Sequence, residues 1–69
     1  MIEVFKTNVQ EAEQSQMLIG KLLDHFPDSA VNFDLEDCDK ILRIHASSIC
    51  HKTIIELLNS HGYHCEVLP

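Results

Sequence analysis

Val31-Asn32-Phe33-Asp34-Leu35-Glu36, Asp37-Cys38-Asp39 and Lys40-Ile41-Leu42-Arg43-Ile44-His45 read as two strands folded back on a short polar turn. Val31, Phe33 and Leu35 alternate with Asn32, Asp34 and Glu36. Leu42 and Ile44 alternate with Arg43 and His45. A period of two sends one set of side chains to a core and the other toward water. The aspartates between them suit a tight turn, because their carboxylates can bond their own backbone.

On either side of this hairpin the period changes. Upstream, Ala12, Ser15, Ile19, Leu22, Leu23 and Phe26 recur at helical spacing from about Val9 to Phe26, and Pro27 ends the run. Before it, Met1 to Lys6 alternates as a strand, with Ile2 and Val4 assigned to the core face and Glu3 and Phe5 to the other. Downstream, Ser47 or Ser48 can cap a second helix whose apolar stripe is Cys50, Ile54, Leu57 and Leu58. Gly62 closes that helix with a left-handed residue, and Tyr63 to Leu68 forms a last strand.

The order is therefore βαββαβ over a single domain, residues 1–69. Each helix has one apolar stripe, so both must cover the same face of the sheet. The expected α+β fold is a ferredoxin-like sandwich with an antiparallel four-stranded sheet in the order 4-1-3-2.

Composition narrows the functions. Hydrophobic residues make up 45% of the chain, which argues for a packed globule. The net charge is −6, and Lys6, Lys21, Lys40, Arg43 and Lys52 are dispersed, a poor basis for neutralising the phosphates of DNA, RNA or an anionic membrane. No apolar run approaches the ~20 residues of a membrane span. The N-terminus has neither a basic segment nor a continuous apolar one, so no signal peptide is expected and the cytoplasm is the expected location. Cys38, Cys50 and Cys65 are odd in number and widely spaced, as reduced thiols would be, and no C-x-x-C occurs.

Three stretches carry a family likeness. Asn32-Phe33-Asp34-Leu35-Glu36 resembles the V-x-V-D-L-E strand of heavy-metal-associated domains, the fold of copper chaperones and of modules in metal-pumping ATPases. Lys40-Ile41-Leu42-Arg43-Ile44 resembles the family's third strand, and Ile54 to Tyr63 its I-x-x-A-I-x-x-x-G-Y ending. The family's M-x-C-x-x-C motif falls here on Lys6, Asn8 and Glu11. Oxygen ligands suit Cu(I) poorly, so the resemblance implies no metal at Asn8 and Glu11. In place of the motif, Thr7-x-x-Gln10 reads as a capping box and Asn8-x-x-Glu11 as a variant of one.

Glu11, His61 and His64 lie at one end of the expected sandwich and form the alternative site, suited to a Zn, Ni or Cu ion. Helix-end and strand positions give His61 and His64 ordinary structural roles instead. Cys50 shares its phase with Ile54 and is expected to pack as a small apolar residue; Cys65 reads likewise. Neither has the base and oxyanion donors of a nucleophile, so no enzyme is expected. The sheet face without helices is expected to show Phe5, Ile41, Arg43, His45 and Leu68, with Arg43 placed to pair with Asp34. The leading expectation is a non-enzymatic domain, without cofactor, that meets a protein partner or a second copy through that face. A small-molecule sensor is a weaker third reading, without a pocket signature behind it.

Overall fold

The computed structural model describes residues 1–69. Strand β1 (Ile2–Thr7) is followed by helix α1 (Ala12–His25), strands β2 (Ala30–Asp34) and β3 (Ile41–His45), helix α2 (His51–Ser60) and strand β4 (Cys65–Val67). The chain is a small α+β fold with one four-stranded antiparallel sheet. The order along the sheet is β2-β3-β1-β4, which is 4-1-3-2 when counted from the β4 edge. No helix is long and apolar enough to cross a membrane.

Both helices sit on one face. Leu18 and Leu22 of α1 and Ile54 and Leu58 of α2 form one core with Phe5, Leu42, Ile44 and Cys65 of the sheet, and with Val9 from the loop before α1. The stripe of α1 centres on Ser15, Leu18 and Leu22; Ala12 is exposed, and Ile19 and Leu23 are half-buried.

The first strand reverses an expectation. Phe5 is fully buried among the core residues, and Ile2, at 59% exposed, is on the opposite face. A shift of one residue in a strand exchanges its two faces, and β1 carries apolar residues in both phases. Phe5, Thr7 and Val9 form the inward series, all buried. Glu3 shares that phase at the rim, where its carboxylate reaches His51 Nε2 of α2 at 3.2 Å, and the His51 ring meets Phe5 edge-on at 5.8 Å. A charged residue is tolerated there because it stands at the open end of the core.

The start of α1 also differs from expectation. The helix begins at Ala12, after an extended Glu11. Gln14 Oε1 accepts from the N–H groups of Glu11 (3.3 Å) and Gln10 (3.4 Å), the backward-reaching half of a capping box. Thr7 and Asn8 do not cap because their side chains are engaged elsewhere. Thr7 Oγ1 donates to Lys40 O at 2.6 Å and accepts from Val9 N–H, while Asn8 Oδ1 accepts from His64 N–H at 2.7 Å. An earlier helix would also lift Val9 out of the core.

Helix α2 begins after Cys50 and not at Ser47 or Ser48. Its far end has the expected form. Gly62, at φ +88°, lets its own N–H reach Asn59 O (3.0 Å) and that of Tyr63 reach Leu58 O (2.9 Å), the two bonds of a Schellman motif. The β2–β3 turn is closed by Asp37 Oδ1, which accepts from Asp39 N–H at 2.9 Å, and by Lys40 in the left-handed region at φ +47°.

Candidate functional site

The loop after β1, where the resembled family holds its metal, is a structural tie. Thr7 N–H donates to Asp39 O (3.0 Å), and Lys6 Nζ lies 3.7 Å from the Asp39 carboxylate. With the Thr7–Lys40 and Asn8–His64 bonds, these contacts fasten the loop to the β2–β3 turn on one side and to the lead-in to β4 on the other. Asn8 thus spends its side-chain oxygen on a backbone amide 56 residues away.

Glu11, His61 and His64 are not gathered into a ligand set. His64 Nε2 lies 3.5 Å from the Glu66 carboxylate, whereas His61 lines an open groove between the helices with Lys21, His25 and Glu56. The trio whose ligand atoms do fall within 4.8 Å of one another is Asp37, Cys38 and Asp39. There Asp37 already accepts the turn's own amide, and Asp39 faces Lys6. The arrangement is that of a self-bonded turn.

The three thiols differ sharply. Cys50 is exposed, contrary to its expected packing, because the chain enters α2 there and the stripe begins only at Ile54. The Thr53 hydroxyl donates to its Sγ at 3.2 Å. That bond, followed by the backbone N–H groups of Thr53 and Lys52, lowers the thiol below its ordinary value. Cys65 is buried, and burial, with a smaller contribution from Glu66, pushes it up to about 12. Cys38 is exposed in the turn.

The face of the sheet away from the helices can be laid out in rows from the strand register. One row runs Ala30, His45, Ile2; the next Asn32, Arg43, Val4; the third Asp34, Ile41. Lys6 and Glu66 extend the third row, and Leu68, whose N–H donates to Val4 O at 2.9 Å, extends the second. Of the residues expected here, Arg43 and His45 are exposed and Leu68 is half-buried. Phe5 belongs to the core instead. Ile41 is on this face but only 7% exposed, beside Lys6, whose side chain runs toward Asp39. Ile2, Val4 and Lys6 were missed here. The signal for them was the continuation Phe5-Thr7-Val9, which sets the inward phase of β1.

Charge on this face is balanced in a molecule that is otherwise acidic. Lys6 and Arg43 stand against Asp34 and Glu66, which leaves nine carboxylates and three lysines elsewhere to carry the whole net charge of −6. Arg43 and Asp34 are exposed on neighbouring strands, yet they form no ion pair with each other or with any other group. Compared with family models, curated proteins and solved structures, the chain matches none.

Proposed function

We propose that the chain is a ferredoxin-like domain of the heavy-metal-associated type whose ion loop has become a structural tie, and that it works in the cytoplasm as a non-enzymatic protein-contact module. The open face of the sheet is the contact surface. The observation that carries this reading is the composition of that face: exposed Ile2, partly exposed Val4 and Leu68, and unpaired Arg43 and Asp34, with no net charge on an acidic molecule. Exposed apolar residues grouped with arginine and freed from like-charge repulsion are the ingredients of a recognition surface. The tied loop supports the loss of metal transport, because Asn8 and Lys6 already have partners within the fold.

Site-specific photo-cross-linking in the cells that make the protein tests this. A cross-linker at Arg43 or His45 is expected to give discrete adducts, and one at Glu13 or Asp24 on α1 to give none. Adducts from the helix positions alone would reject the sheet face as the contact surface.

A further inference from the structure

We infer that the occupant of the open sheet face is a second copy of this chain, related by a two-fold axis; this rests on the reading of that face as a contact surface. Arg43 stands opposite Asn32 and Asp34 opposite Ile41, so the two charges are diagonal neighbours that a long arginine side chain could bridge. Here neither has an ion-pair partner in its own chain, although both are exposed. A face that carries one unpaired charge of each sign is self-complementary. In a two-fold contact each copy offers its Arg43 to the Asp34 of the other, so the pair forms twice and no charge is left over.

The row layout permits this geometry. Let the axis cross the strands between the row of Arg43 and the row of Asp34. Strands β2 and β3 of each copy then lie over β2 and β3 of the other. Arg43 of one copy falls above Ile41 of the second, one strand spacing (~4.8 Å) to the side of its Asp34, well within the reach of an arginine. Val4 and Leu68 fall above the side chains of Lys6 and Glu66, and their exposed apolar area leaves water.

Electrostatics favours contact through this face over contact through the acidic loops of the same molecule. Two molecules of charge −6 repel when they approach through their loops, where Glu11, Asp28, Glu36, Asp37 and Asp39 are set against a single loop lysine, Lys40. Approach through the balanced faces avoids that cost. Size sets the strength. The molecule measures 27 × 24 × 18 Å between Cα extremes. A face of that breadth can cover at most about 600 Å² per copy, or roughly 1,200 Å² in total, at the lower edge of specific interfaces. The pair is therefore a reversible dimer, seen at high protein concentration.

Sedimentation equilibrium on the purified, reduced chain tests the pairing. The mass is expected to rise with concentration from 7.9 kDa toward twice that value. Arg43→Asp and Asp34→Arg should each weaken association at least about tenfold, because each makes the face repel its own copy. A one-to-one mixture of the two variants should recover the dimer, since one face is then acidic and the other basic. A wild-type mass fixed at the monomer overturns the proposal. So does a dimer that both variants leave intact, or a mixture no more associated than its parts. Adducts from Arg43 in cells at masses other than twice the monomer, together with a monomeric purified protein, would leave the contact surface standing and remove only the self-pairing.

Discussion

At the scale of single residues, the fold depends on which side chains of β1 enter the core. Phe5 is fully buried, and replacing it with Ala removes an aromatic ring from the centre of a 69-residue domain. The expected loss is about 3–5 kcal/mol, enough to leave much of the chain unfolded, whereas Ile2→Ala should cost less than about 1 kcal/mol; urea denaturation of both variants compares them. Equal losses would contradict the assigned phase. Cys65 gives a pH signature. Its thiol is raised from 9.0 to about 12 in the fold, so the unfolded chain releases this proton first as pH rises. The stability contributed by the buried thiol is full below pH 9.0 and is lost progressively toward about 12. In urea titrations Cys65→Val should flatten that decline relative to the wild type. Cys50 moves the other way: with Thr53 donating to its sulfur, it should be alkylated faster than Cys38 near neutral pH, and Thr53→Val should narrow the difference, leaving the part due to the backbone N–H groups of Thr53 and Lys52.

At the scale of elements, the ends of the helices show what could be read from sequence and what could not. Gly62 was legible as the terminator of α2 because few residues other than glycine adopt positive φ there without cost. Nothing lies within 4 Å of a Cβ built on it, so Gly62→Ala carries only the backbone penalty, about 1 kcal/mol, and should lower Tm by roughly 4–8 °C in a calorimetric scan. The strands of the hairpin were legible for a similar reason, since a period of two over Val31–Leu35 and Leu42–His45 has few alternative explanations. The start of α1 was not. Thr7, Asn8 and Glu11 all have the chemistry of caps, and only the distant partners Lys40 O and His64 N–H, supplied by tertiary structure, decide that Glu11 takes the position. The phase of β1 failed similarly: Ile2 and Val4 on one face and Phe5 on the other offer two apolar sides, and helix packing chooses between them.

At the scale of the whole molecule, the sandwich separates two surfaces that a linear reading mixes. The loops carry most of the acidic excess, and the open face carries balanced charge around Ile2, Val4 and Leu68. Arg43, His45 and Leu68 were legible as members of that face from alternation in β3 and β4. Ile2, Val4 and the unpaired state of Arg43 emerged only with the register and side-chain positions. The most direct measurement of the central claim is a dilution series followed by amide NMR on the reduced protein. Shifts that depend on concentration and cluster at Ile2, Val4, Asn32, Asp34, Arg43 and Leu68, with Glu13, Asp24 and Glu56 unmoved, are the predicted result. Shifts confined to α1 and α2, or a spectrum unchanged from micromolar to millimolar protein, would contradict it.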